Sequence, residues 1–274
     1  MRSFLMALLS LSVGSLGSAG ISGCKAAPTV EGVAHASTIE GDEPGGGGNE
    51  PGNEGDDTVL PAAGVAPGNG TAHALLYEID RQLSRMRSTS YTHQTQIDER
   101  SGTYNFDCSA FAGYSLQNAA PRAWDELRAA TGVRTGRPLA RHFQGFFASL
   151  PQGSGRGEWF RVSRVQDLVP GDVVAWLRPP DVVSKNTGHV VVVHGPVTPW
   201  NGRPGAFLVP VADSTSMLHG VSDSRHAAGA TGLGTGTLIL EGDAYGAPVA
   251  YRWSLGSRAV DHACTIAMGR LARR

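Results

Sequence analysis

Cysteine is scarce in this chain, with 3 among 274 residues. That excludes a small disulfide scaffold, and a chain of this length can bury a core without covalent staples. Charge is also thin, at 17% of residues, and it nearly cancels to a formal −1. So even a balance gives no electrostatic reason to expect nucleic acid as a partner. Long apolar runs are missing too: the best candidate, in the first 24 residues, is interrupted by Gly14, Gly17 and Gly20 and is short for a membrane span. No internal repeat is present. Glycine is plentiful, at 37 residues, partly because of one low-complexity segment. The length fits one domain of about 200 residues plus extra segments.

The first residues, MRSFLMALLSLSVGSLGSAGISGC, carry one basic residue, Arg2, and then an apolar and small-residue run. That is a secretory signal pattern. It ends in Ile21-Ser22-Gly23-Cys24, which resembles a bacterial lipobox, whose cysteine is lipidated and becomes the mature N-terminus. The alternative is a plain signal peptide cleaved at small residues. A lipid on Cys24 would hold the protein on a membrane without a spanning helix. Lys25 is not the aspartate of an inner-membrane retention signal, which points to the outer membrane of the bacterial envelope where one exists. Residues 25–70 include EGDEPGGGGNEPGNEGDD, which has almost nothing to bury and reads as a disordered acidic tether. A folded domain is expected over 71–274.

That domain opens with TAHALLYEIDRQLSRMR, whose apolar residues Leu75, Leu76, Ile79, Leu83 and Met86 have helical spacing, with Thr71 as cap. STSYTHQTQIDERSGTYNF reads as a polar loop. Asp107 is a good N-cap for a helix beginning at Cys108. Two further helical stretches lie around 122–131 and 138–150. The second half changes character: DVVAWL, GHVVVVHG, AFLVPVAD, GTLIL, PVAYRWS and CTIAMGRL are short apolar runs set off by Gly, Pro and Asp. Helices followed by strands predict an α+β fold, with N-terminal helices packed on an antiparallel β-sheet.

With Cys24 lipidated, Cys108 and Cys264 remain. In an oxidising compartment they could pair, although Cys264, in HACTIAMGRL, reads as a small buried hydrophobe in a core strand. Cys108 has a second potential. A thiol in the first turn of a helix sits where the helix end stabilises negative charge, so the local sequence suits an activated thiolate. A base must come from elsewhere. His189 follows Gly188 and opens the strong strand HVVVV, and Asp213 ends the next strand, so adjacent antiparallel strands can pair them. The bland readings are a solvated histidine at a strand edge and an Asp-Ser-Thr-Ser turn. His93, His142, His194 and His262 read as surface or packing residues, His194 being the nearest rival to His189.

Three motifs stand in one order: Asp107-Cys108-Ser109-Ala110-Phe111, Leu168-Val169-Pro170-Gly171-Asp172-Val173 and Gly188-His189-Val190. Together they resemble the D-C-S-G-F, L-x-P-G-D-L and G-H-V motifs of NlpC-type cell-wall cysteine peptidases, over roughly residues 85–215. The resemblance implies a papain-like fold, with Cys108 as nucleophile, His189 as base and Asp213 as the third polar group. It implies an oxyanion site from an upstream tyrosine and the Cys108 N–H. Tyr91 is the candidate, with Tyr104 competing, although THQTQ stands where the family has G-G.

It also implies cleavage of amide bonds in peptidoglycan stem peptides by a monomer that needs neither metal nor organic cofactor. The alternatives are a thiol acyltransferase or transglutaminase-like enzyme, and a catalytically silent envelope-binding lipoprotein. Two segments look like additions to the family pattern. GPVTPWNGRPG reads as an extended hairpin loop. Residues 214–248, with His219, Asp223, Arg225 and His226, read as a lid, with metal binding as a minor option. GLGTGT within that segment precedes a strand and not a helix, so a phosphate-binding reading is rejected.

Overall fold

The computed structural model describes residues 70–256 and 259–272. Cys24, the signal segment and residues 25–69 of the expected tether lie outside the described residues. Helix α1 (Gly70–Arg85) is followed by short strands β1 (Ser88–Tyr91), β2 (Gln96–Asp98) and β3 (Thr103–Phe106). Three helices come next: α2 (Cys108–Ala119), α3 (Pro121–Thr131) and α4 (Ala140–Ser149). The rest is mostly strand: β4 (Gly155–Arg156), β5 (Trp159–Val162), β6 (Val173–Leu177), β7 (Gly188–Val193), β8 (Thr198–Pro199), β9 (Ala206–Thr215), β10 (Gly232–Gly242), β11 (Pro248–Arg252), β12 (Asp261–Ala263) and β13 (Ile266–Leu271). The fold is α+β, and the main sheet runs β12-β11-β10-β9-β7-β6-β13-β5-β4 with every neighbour antiparallel. Among the described residues no helix is long and apolar enough to cross a membrane.

Strand alternation builds two cores. Along β6 and β7, Val173, Ala175, Val190 and Val192 face the helices and join Phe111, Leu116, Phe143 and Phe147. The intervening Val174, Trp176, Val191 and Val193 face the other way, against Val209, Val211, Leu238 and Tyr251. A sheet buried on both faces explains why these strands read as continuous apolar runs rather than as alternating ones.

Three expectations are corrected. The segment read as a polar loop after α1 is a three-stranded sheet, with β3 between β1 (parallel) and β2 (antiparallel). Its alternation is hidden because only Tyr104 and Phe106 of β3 turn into the core, while Thr103 and Asn105 are polar and half-buried. The stretch 214–248, read as a lid, is not one throughout. It holds β10, one of the longest strands, which pairs with β9 from Gly232↔Thr215 to Glu241↔Ala206. Cys264 lies in the link before β13 and is half-buried, and Cys108 and Cys264 are both free thiols.

The insert after His194 forms a hairpin in which β8 pairs with β9. The Leu168–Asp172 turn is held by Asp172, fully buried, which accepts from the Val169 N–H at 2.8 Å and from Arg270 at 2.8 Å through each oxygen.

Candidate active site

Asp107 has extended backbone (φ −90°, ψ 178°), and its Oδ1 accepts from the Ala110 N–H at 2.9 Å, which starts α2 at Cys108. The cap is itself held. Ser109 donates to Oδ1 at 3.0 Å, His93 Nδ1 lies 3.0 Å from Oδ2, and Arg137 donates to both Oδ2 and the Ser109 hydroxyl. Burial opposes ionisation of Asp107, but these donors hold it below the usual carboxylate range. Cys108 is thus the first residue of a firmly capped helix, 4% exposed, and its backbone N–H is among the first-turn donors that no intrahelical carbonyl can reach. His93, exposed as a surface histidine was expected to be, also stands in this group.

His189 sits opposite Trp176 in the β6–β7 register, with the two rings 5.2 Å apart. It follows Gly188, whose φ is +149° and where a Cβ would fall 1.8 Å from the Trp176 carbonyl oxygen. Only glycine can lead into the histidine here. His189 shares a face with Val191 and Val193, and Asp213 with Val209 and Val211, so the period of two turns both side chains to one side of adjacent strands. His189 Nε2 lies 2.7 Å from Asp213 Oδ2. Burial would lower the pKa of the ring, but the charges of Cys108 and Asp213 raise it to about 10. The structure therefore brings Cys108, His189 and Asp213 together.

Asp213 is fully buried and has three charged partners, not one. His219 Nε2 lies 3.1 Å from Oδ2, and Arg225 donates to Oδ1 at 3.0 Å. Despite its burial, the charge of His219 and the bonds from both histidines hold the Asp213 carboxyl far below its ordinary range. The other nitrogen of His219, Nδ1, faces the Trp253 carbonyl at 3.0 Å, and that carbonyl can only accept, so Nδ1 donates. Asp223 completes the group: it accepts from the His219 N–H at 2.8 Å and from Arg225 through both oxygens, at 2.8 and 2.7 Å.

Residues expected in a solvated lid are therefore packed into the support of the site. The overlooked signal was the glycine spacing in GLGTGT. A Cβ on Gly234 would stand 2.7 Å from the Arg225 side chain, and one on Gly236 would stand 2.6 Å from the His219 Cβ. Glycines two apart on one face of β10 leave the room that the two side chains fill. Arg225 takes the place between Asp213 and Asp223 that a cation would need, and among the described residues no group of three or more His, Cys, Asp or Glu could hold a metal.

Tyr91 closes the thiol side. Its hydroxyl accepts from Asn186 Nδ2 at 3.1 Å, which leaves its own proton free to donate. Burial first, then the charges of Cys108 and Asp107, push its pKa up and keep the phenol protonated. Tyr104 lies instead in the core against Phe106, 0% exposed.

The other histidines stand elsewhere. His142 Nδ1 accepts the Leu139 N–H at the start of α4, His194 pairs with Asp80, and His262 pairs with Asp181. His226 lies in the turn after Arg225 and is exposed.

Two clefts meet at this point. One, of about 390 Å³, contains Cys108, His93, Arg137 and Lys185. The other, of about 270 Å³, contains His189, Trp176, Tyr251 and Trp253. Tyr91, Asn186 and Gly188 line both. No family model matches the chain, and neither a curated protein nor a solved structure matches it.

Proposed function

We propose that the chain is a thiol hydrolase of the NlpC type with a papain-like fold, which cleaves amide bonds and is held in the bacterial envelope by a lipid on Cys24. The observation that carries this reading is His189, placed between the Cys108 thiol and the Asp213 carboxylate with its pKa raised to about 10 by the two. A protonated imidazole beside a thiolate is the resting pair of a cysteine nucleophile.

In the proposed reaction the Cys108 sulfur attacks the amide carbonyl. The Cys108 N–H and the Tyr91 hydroxyl donate to the developing oxyanion. His189 gives its proton to the departing amine, leaving a thioester on Cys108. The neutral imidazole then takes a proton from water, which attacks the thioester and releases the acid and the thiolate. Asp213 orients the ring throughout. Peptidoglycan stem peptides are the proposed substrate.

The apolar cleft beside His189 favours a second outcome for the same thioester, capture by an amine instead of water, which would make the enzyme an acyltransferase.

Alkylation of Cys108 by iodoacetamide across a pH series tests the reading. Fast alkylation well below the ordinary thiol pKa of about 8.5, lost in His189→Ala, is expected. Slow, ordinary thiol behaviour in both proteins would leave a binding lipoprotein as the better reading.

A further inference from the structure

Cys108 lines one of the two clefts and His189 the other. The acyl group of an amide stays on the sulfur, while the amine departs toward the group that protonates it. The amine half of the substrate therefore lies on the His189 side. The cleft there is aromatic along Trp176, Tyr251 and Trp253, but Arg178, Asn186 and Thr215 line it as well. No aspartate or glutamate does.

Arg178 directly follows β6, and its N–H donates to the Thr187 carbonyl at 3.1 Å, which carries the β6–β7 pairing one step past the strand end. Trp176, opposite His189, is two residues back, so Arg178 shares its face about 7 Å further along the strand. Arg178 is exposed, and its Nη1 donates to the Ser184 carbonyl. That bond holds the guanidinium in place. Its other edge, Nε and Nη2, has no partner among the described residues. Two parallel N–H groups on a guanidinium edge match the two oxygens of a carboxylate. The acidic residue nearest in sequence, Asp181, is turned to His262 Nδ1 at 2.9 Å and does not line the cleft.

We infer that Arg178 determines specificity by binding a carboxylate on the amine half of the substrate, close to the nitrogen that leaves. The inference rests on the thiol-hydrolase reading of Cys108 and His189 and narrows the choice of bond. Inside a peptide the backbone carboxyl of each residue is tied up as an amide. A free carboxylate near the leaving nitrogen therefore belongs to the last residue of a stem peptide, or to one with a carboxylate on its side chain. The aromatic wall takes the aliphatic body of that residue. An amine that attacks the thioester occupies the position from which an amine leaves, so the preference can be read without knowing the natural acyl group.

The full-length protein is acylated with p-nitrophenyl acetate. The Cys108 thiolate displaces p-nitrophenolate, which is seen as a burst. Acetyl-Cys108 remains, and His189 gives its proton to solvent. Racemic alanine or racemic alaninamide is then added, two amines of similar size that differ in the carboxylate. The amine nitrogen attacks the thioester carbonyl, its proton passes to His189, the thiolate leaves, and an N-acetyl amide forms. With concentrations counted as free amine, alanine is expected to reach half-maximal deacylation about tenfold below alaninamide, the ratio for one hydrogen bond to a charged group. Arg178→Gln is expected to abolish that preference and to leave the burst unchanged, because the guanidinium takes no part in the attack on the ester.

A burst with no advantage for alanine, or an advantage that survives in Arg178→Gln, overturns the inference and leaves the thiol-hydrolase reading standing. If the variant loses its burst, the wild-type comparison decides alone. The absence of a wild-type burst, or a burst that survives in Cys108→Ala, removes that reading and the inference with it.

Discussion

Asp213 carries the heaviest electrostatic load of any residue described. It is 0% exposed and faces two histidines and an arginine, so its carboxylate both orients His189 and offsets the charge of its own supports. Removing one partner of a buried ion pair strands the others, at a cost of about 3 kcal/mol or more. Asp213→Asn is therefore expected to lower both thermal stability and the rate of Cys108 alkylation, read by melting and by iodoacetamide kinetics on the same samples. His219→Ala is a milder change. It leaves the His189–Asp213 contact in place and removes one hydrogen bond to a charged group, worth about 1.5 kcal/mol. Alkylation at neutral pH should fall about tenfold, the rate equivalent of that energy, whereas His189→Ala should abolish the fast phase. Equal rates for wild type and His219→Ala would reduce His219 to a packing residue. Cys108, His189 and Asp213 were legible because each stands within two residues of the end of an element with a recognisable signature. His219, Arg225, His93 and Arg137 were not, because loop residues carry no period and their partners are set only by the tertiary fold.

At the scale of elements, glycine placement separates strands that support chemistry from those that only pack. In β10 the alternate glycines 234 and 236 clear the face on which Arg225 and His219 lie. The sequence GLGTGT invites a loop or phosphate reading because glycine weakens any strand on propensity alone. The spacing of two, continuous with the apolar run LIL, was the better guide. Gly236→Ala would push a methyl to within 2.6 Å of the His219 Cβ, a contact that no distal side-chain rotation relieves. Its expected phenotype matches that of His219→Ala, with reduced alkylation and a lower melting temperature. Gly145, exposed in α4, is the contrasting case: nothing lies within 4 Å of a Cβ built there. Gly145→Ala should raise stability by about 0.5–1 kcal/mol by restricting the unfolded chain and improving helix propensity, and should leave alkylation unchanged. A loss of stability there would mean that α4 is held differently from the way its exposure indicates.

For the whole molecule, the order of helices before strands was readable because periodicity changes at about residue 150, and it placed Cys108 on a helix and His189 on the sheet. The small sheet β1–β3 was hidden, since a half-exposed strand of Thr, Ser and Asn has no apolar contrast to show. The assembled charges have one consequence that no single element carries. Hydrogen bonds from Arg81 hold the Glu99 pKa down at about 2, and Asp107, Asp213 and Asp223 are also held below the usual carboxylate range. Each of these stabilises the fold above its unfolded pKa and loses that contribution as the pH falls through its folded value. Asp172, pushed up by burial against the pull of Arg270, works in the opposite sense and makes the acid limb shallower.

On the alkaline side the sign reverses. His189 is raised from 6.5 to about 10, so its contribution is complete below 6.5 and is lost progressively as the pH climbs to about 10. Melting temperature should therefore fall on both sides of a plateau in the weakly acid range. Because lysines and tyrosines add their own alkaline losses, the informative quantity is the difference between wild type and His189→Gln at each pH. That difference should shrink between 6.5 and about 10 as the wild-type ring gives up its proton. A difference that stays constant across this window would mean that the imidazolium is not held by Cys108 and Asp213, and the proposed nucleophile would have lost its counter-ion.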